Sequence, residues 1–286
     1  VTLPFYPDVR VHNMRAAATG RHFVIRVMMP LQEAGCERRY PVVYMADANA
    51  YFEACRALSY NLQVLPSVPP FILVGIGYPG TSPCAGLFLR ARDFTFPGYP
   101  KFDLSTPPFE GVLVADDDGP AFGQGGAFLE FIADELIPWI DDHFPTIRGD
   151  RTYFGHSAGA GFGLYALSES PDLFNRVTLS SPGLTFHGRS SAGIEYVDHD
   201  AVLWRIEKLL ADGFDPQSKR IYCSAGSEED HESDLAVWKI RSNLQKLVAL
   251  LDKGGPNFKS ETLAGEFHAT AWPISFMHGV QFVFRS

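Results

Sequence analysis

Cysteine is scarce: four residues in 286, Cys36, Cys55, Cys84 and Cys223, with no two spaced as C-x-x-C. That spacing argues against a zinc site built from thiolates, and so few cannot make a disulfide scaffold. They are expected as buried, reduced residues. No apolar run approaches the roughly 18 residues that a transmembrane helix needs. No cluster of Lys and Arg occurs, and the net charge is −9. Binding to the phosphate backbone of nucleic acid is therefore excluded, and an anionic membrane surface is disfavoured. Internal repeats and linker-like stretches are also missing, so one domain over residues 1–286 is expected. No leader-like segment precedes Val1 and no initiator Met opens the chain, as expected of a mature or trimmed protein; the compartment stays open. What remains, with 46% hydrophobic and 20% charged residues, is the composition of a soluble globular protein.

Apolar runs of strand length then alternate with helical periodicity. Residues His22–Met29, Pro41–Ala46 and Phe71–Gly77 read as strands, with a helix over about Ala50–Leu65 between the last two. A stretch over about 81–125 is rich in Gly, Pro, Asp and Phe and is read as an irregular insertion or lid. Phe128, Ile132, Leu136 and Ile140 recur every fourth residue, predicting a helix that Pro138 kinks or shortens. Strands are predicted at Arg151–Gly155, Arg176–Ser180, Arg220–Ser224 and Lys259–Leu263. Helices are predicted over 158–168, from Val237 through Leu251, and over Trp272–Phe284. This alternation predicts an α/β fold, a mostly parallel central sheet with helices on both faces, and places the chemistry at the carboxyl ends of the strands.

One such end carries Gly155-His156-Ser157-Ala158-Gly159. The pentapeptide alone is unspecific, but a strand stops at its first Gly and a helix begins after the Ser. That strand–turn–helix setting presents a strained, exposed nucleophile, against the plainer reading of a turn that merely needs small residues. A serine hydroxyl needs a base, and in this architecture the order is Ser, acid, His. His268, directly after the last strand, is the expected base; His278 falls inside the final helix and His231 on the preceding loop. The acid belongs after strand 220–224, where Glu228, Glu229 and Asp230 stand in a row; Glu229 is preferred and the other two stay open. Two backbone N–H groups should hold the oxyanion: that of Ala158, and one after the third strand, Asn49 ahead of Ala48. Asn49 would equally suit a helix N-cap.

Together these segments resemble the putative-esterase family of α/β-hydrolases, which includes S-formylglutathione hydrolases, feruloyl esterases, mycolyltransferases and the enterobactin/salmochelin trilactone esterases. The trilactone-esterase-like members are the nearest in pattern. The likeness runs from about Tyr40 to the C-terminus through Pro41–Asp47, Ile72–Pro79, Arg90–Thr95, Glu135–Pro138, Gly155–Gly159, Pro171–Phe174, Ser180–Pro182 and His268-x-x-x-Trp272. The resemblance implies an α/β-hydrolase fold, Ser157 as nucleophile, His268 as base, and Glu229 as an acid three residues after the strand-ending Gly. Some trilactone esterases work with a Ser–His pair alone. It also puts Arg92 where an arginine can meet an anionic or catecholate substrate, or else pair with the neighbouring loop. Departures are Ala48 after Asp47 where Gly is common, Ala160 in place of a second Gly, Thr185-Phe186, and the 96–125 segment.

The expected activity is hydrolysis of a small-molecule carboxylic ester through an acyl-enzyme, with no metal or organic cofactor. Its rivals are a siderophore trilactone esterase, an acyltransferase on the same residues, and a non-catalytic binding protein on the same scaffold. The negative charge suits a neutral ester unless Arg92 compensates locally. Asp116-Asp117-Asp118 lacks the ligand spacing of a calcium loop and reads as an acidic turn. Phe94, Phe96, Tyr99, Phe102 and Phe109 either line an apolar pocket or anchor the insertion to the core.

Overall fold

The computed structural model describes residues 9–30, 37–64, 68–80, 83–96, 123–190, 193–198, 200, 202–232 and 235–285. Ten strands are described: β1 (Val9–Arg15), β2 (His22–Met28), β3 (Tyr40–Met45), β4 (Ile72–Gly77), β5 (Thr146–His156), β6 (Arg176–Ser180), β7 (Phe186–Ser190), β8 (Gly193–Asp198), β9 (Arg220–Gly226) and β10 (Phe258–Leu263). Eight form one sheet in the order β1-β2-β4-β3-β5-β6-β9-β10, and β7 and β8 make a separate hairpin. The pairs from β4 through β10 are parallel; β1 and β2 are added antiparallel at one edge. The fold is that of an α/β-hydrolase, as the family resemblance implied.

The unbroken apolar runs of β3 and β4 follow from burial on both faces. Successive side chains point to opposite sides. Val42 and Tyr44 join one core with Ile72, Val74, Phe128 and Phe162, while Val43 and Met45 join another with Leu73, Phe52, Cys55 and Phe276. Helices α1 (Ala48–Val64) and α8 (His268–Phe284) supply the second core. The first is covered by α3 (Gly125–Glu130), α4 (Ile137–His143), α5 (Ala158–Glu169), α6 (Leu203–Ala211) and α7 (Ile240–Leu251). Each such aliphatic or aromatic side chain contributes about 1.5–3 kcal/mol when fully buried.

The structure corrects several boundaries. The stretch read as irregular contains helix α2 (Pro83–Phe94), opened by a proline, whose fixed φ suits a first helical position. The rest of it, 97–122, with Asp116–Asp118, Tyr99, Phe102 and Phe109, lies outside the described residues. Phe94 and Phe96 act as anchors: Phe94 packs at 5.7 Å on both Phe128 and Phe162, and Phe96 stacks on Tyr165 at 4.9 Å. The helix expected around Pro138 is split into α3, a π-helical turn over Phe131–Leu136, and α4. Pro138 has no N–H to continue the ladder, and the chain widens before it. Helix α7 begins at Ile240 rather than Val237, because Lys239 takes a left-handed φ of 46° that separates it from a short 3-10 turn. Helix α8 begins four residues early, so His268 is its first residue and not part of a loop. Strands β1, β7 and β8 carry too little apolar alternation to be legible in sequence. Cys55 and Cys223 are buried free thiols, pushed up by burial, Cys223 to about 12. Cys36 and the side chain of Cys84 lie outside the described residues. Among the described residues, no helix is long and apolar enough to cross a membrane.

Candidate active site

Strand β5 ends at His156 and α5 starts at Ala158, so Ser157 alone makes the turn. Its φ of 59° and ψ of −124° are a backbone that non-glycine residues rarely adopt. Hydrogen bonds hold it there. The Ser157 N–H donates to the Ser180 carbonyl at 2.9 Å, and its carbonyl accepts from the N–H groups of Ala160, Gly161 and Gly183 at 3.0, 3.0 and 2.9 Å. Helix and strand approach so closely that a Cβ on Gly155 would stand 2.3 Å from the Gly159 carbonyl oxygen. The turn therefore needs glycine at 155 and leaves the serine hydroxyl projecting at the sheet's carboxyl edge.

Three side chains meet there. Ser157 Oγ lies 2.9 Å from His268 Nε2, and His268 Nδ1 lies 3.1 Å from Glu229 Oε2, across sequence separations of 111 and 39 residues. β9 delivers Glu229 just past its end, and β10 delivers His268 through a tight turn. Gly226 is needed for that approach, since a Cβ there would meet the Glu266 carbonyl oxygen at 2.1 Å. The Glu229 carboxylate is fully buried, and its Oε1 accepts from the Ser181 hydroxyl at 2.6 Å and the Gly226 N–H at 2.7 Å. The His268 backbone N–H donates to Glu232 Oε2 at 2.8 Å, placing a carboxylate at the positive end of α8.

The neighbouring acids point elsewhere. Asp230 accepts from the Arg241 and Ser242 N–H groups at 2.9 and 3.0 Å and so caps α7, while Glu228 accepts from the Ser227 hydroxyl at 2.7 Å. His231 is exposed in the turn, and His278 pairs with Glu261 at 3.1 Å.

Helices α1 and α5 start from neighbouring strands, β3 and β5. First-turn N–H groups have no partner within their own helix. The two helix starts abut, for a Cβ on Gly159 would be 3.2 Å from Asp47 Oδ2 and 3.3 Å from Ala46 Cβ. Ala158 is the first residue of α5, and Ala48 and Asn49 the first two of α1. Asn49 is not an N-cap: its side chain accepts from the Tyr78 N–H at 2.6 Å and donates to the Tyr78 carbonyl at 2.9 Å, tying α1 to the end of β4. The turn before α1 has its own clamp. Asp47, at a φ of 56°, receives both arms of Arg90 at 2.8 and 2.9 Å. Desolvation works against the Arg90 charge, but Asp47 outweighs it and holds the guanidinium above its usual range.

Arg92 is 5% exposed and gives two hydrogen bonds to Asp93, at 2.8 and 3.0 Å; Asp93 also takes Arg21 at 3.2 Å. The side chain thus makes an ion pair within its own segment, the pairing the sequence allowed beside a role toward substrate. Four residues at the site were not singled out from sequence: Ser181, Glu232, Arg90 and His156. Ser181, Arg90 and His156 fall within segments that carry the family resemblance. Glu232 offered no signal, since a lone acidic side chain has no period or spacing to mark it.

A family model described as "Putative esterase" matches residues 105–280. The ferri-bacillibactin esterase BesA of Bacillus subtilis is 27% identical over 285 residues, covering 96% of this chain and 88% of that protein. Among solved structures, the BES protein from Bacillus cereus superposes with a TM-score of 0.73 at 25% identity, covering 97% of this chain and 95% of that one. The siderophore hydrolase EstA from Aspergillus nidulans gives a TM-score of 0.75 at 20% identity, over 99% and 95% of the two chains, a likeness of fold.

Proposed function

The chain belongs to the Putative esterase family and is an ester hydrolase, and from that premise we propose that it works as a serine hydrolase through an acyl-enzyme. The observation that carries this reading is the unbroken relay from Ser157 Oγ through His268 to the buried Glu229 carboxylate. Ser157 Oγ attacks the ester carbonyl as its proton passes to His268 Nε2, and the imidazolium returns that proton to the leaving alcohol. Water, deprotonated by the same nitrogen, then releases the acid. Glu229 holds the Nδ1–H and so fixes the tautomer with Nε2 free to act as base. The oxyanion is received by the N–H groups of Ala158 and Asn49, at the abutting starts of α5 and α1. The whole chain acts as one domain, because every one of these groups hangs from the same eight-stranded sheet.

The substrate we infer is a siderophore ester, a small molecule whose iron-chelating arms are joined through ester bonds. The named activities of the relatives, ferri-bacillibactin, enterobactin and triacetylfusarinine C esterases, support it. The test compares hydrolysis of a catecholate trilactone, a feruloyl ester and S-formylglutathione, with products resolved by chromatography. Ring opening of the trilactone at the highest kcat/KM is expected. Preference for S-formylglutathione, or transfer of the acyl group to an added alcohol in place of water, would overturn the reading.

A further inference from the structure

Glu229 can serve His268 only if its carboxylate keeps one orientation, and the chain around it supplies the means. Both oxygens are occupied, and unequally. Oε2 faces the imidazole, while Oε1 takes two donors, the Gly226 N–H at 2.7 Å and the Ser181 hydroxyl at 2.6 Å. An O–H donor that close to a carboxylate is in the range of charge-assisted hydrogen bonds, about twice as strong as neutral ones. Ser181 and Glu229 are both fully buried, so no water competes for either group.

The backbone of Ser181 adds an independent observation. Its φ is 47°, and its N–H donates to the Ser224 carbonyl at 2.7 Å. This is the left-handed region, where glycine fits without strain and a residue with a Cβ does not. Strain of that kind gathers where a side chain is needed in one place. The bend occurs one residue after β6, which pairs in parallel with β9 so that Ser180 lies opposite Ser224. It turns the hydroxyl across toward the loop that begins two residues before Glu229.

We propose that Ser181 is a positioning residue for Glu229: its hydroxyl pins Oε1 so that Oε2 stays aimed at His268 Nδ1. The inference rests on the reading of Glu229 as the acid of the relay. Ser181 touches neither substrate nor the reacting atoms, and acts through Glu229 alone.

The experiment measures kcat and KM on p-nitrophenyl butyrate for Ser181→Gly, Ser181→Ala, Glu229→Ala and the double variant Ser181→Gly/Glu229→Ala, with folding checked by circular dichroism. Gly accepts the φ of 47° without strain, and Ala keeps the Cβ, so the pair separates the hydroxyl from the backbone. Each single Ser181 variant should lose about ten-fold or more in kcat with KM held within about two-fold, as loss of a charge-assisted bond behind the base predicts. In the Glu229→Ala background the Ser181→Gly change should add less than about two-fold, because nothing is left to position. A purely structural serine would show no such coupling. Unchanged kcat in both Ser181 variants, or the same loss with and without Glu229, overturns the proposal while leaving Glu229 in its role. Full activity of Glu229→Ala instead overturns the reading of Glu229 itself, and the proposal with it.

Discussion

The rings of His156 and His268 lie 4.5 Å apart, tilted by 37°. His156 is 2% exposed, its Nδ1 is 3.0 Å from the Ser180 hydroxyl, and Tyr51 meets its ring edge-on at 5.6 Å. Burial, then the nearby His268 and Arg90, pull its pKa well below the usual imidazole value, against an opposing hydrogen bond to the Ser180 backbone. The residue before the candidate nucleophile is therefore a fixed, neutral wall for the ring of the candidate base.

That neutrality makes stability depend on pH. The folded value of His156 lies below the unfolded 6.5, so its contribution is complete above about pH 6.5 and is lost as acid protonates the unfolded chain. Urea unfolding between pH 7.5 and 5 should show stability falling below pH 6.5, at up to about 1.4 kcal/mol per pH unit from this group. His156→Gln should flatten that slope. His12, lowered by burial and the charge of Arg10, shifts in the same direction and keeps the slope from vanishing. An equal slope in wild type and variant would show that His156 is not kept neutral.

Ser157→Ala should lower turnover of p-nitrophenyl butyrate by about 10⁴-fold or more, with a melting temperature close to wild type. Phosphonate labelling followed by mass spectrometry gives the second check: the adduct should fall on the peptide containing Ser157 and vanish in the variant. An adduct on another serine would move the nucleophile.

Glu229→Gln and Asp230→Asn separate two acids that are neighbours in sequence. Glu229→Gln should slow kcat by about 10²–10⁴-fold, since an amide favours the wrong imidazole tautomer. Asp230→Asn should leave kcat within about two-fold and instead cost about 0.5–1 kcal/mol of stability, because an amide accepts through one oxygen only and carries no charge at the start of α7. Steady-state kinetics with urea melts on both variants reads the two effects, and an exchange of them would reassign the acid.

Arg90→Met leaves the Asp47 carboxylate, 7% exposed, without its partner at the turn that precedes α1. Removing one member of such a buried pair should cost about 3 kcal/mol. The double variant Arg90→Met/Asp47→Asn should recover part of the loss, because no charge is then stranded and Asn tolerates a left-handed φ. Urea unfolding of all three proteins measures it; an unaffected single variant would mean that the pair does not hold the turn.

The linear sequence by itself determined the parallel core and the identities at the edge of the sheet. Runs such as 41–46 and 71–77 must be buried on both faces, whatever lies beside them, and 155–159 has only one compact way to pass from strand to helix. These are local properties, set by periodicity and steric limits over a few residues. The tertiary structure decided what depends on separation. Glu228, Glu229 and Asp230 share one chemistry, and only the direction of the turn after β9 selects the carboxylate that reaches His268. Arg90 and Arg92 are two residues apart in one short segment, yet helical geometry sends one to Asp47 and the other to Asp93. Ser181 acquires its bond to Glu229 across 48 residues, through a left-handed bend that no composition or spacing records.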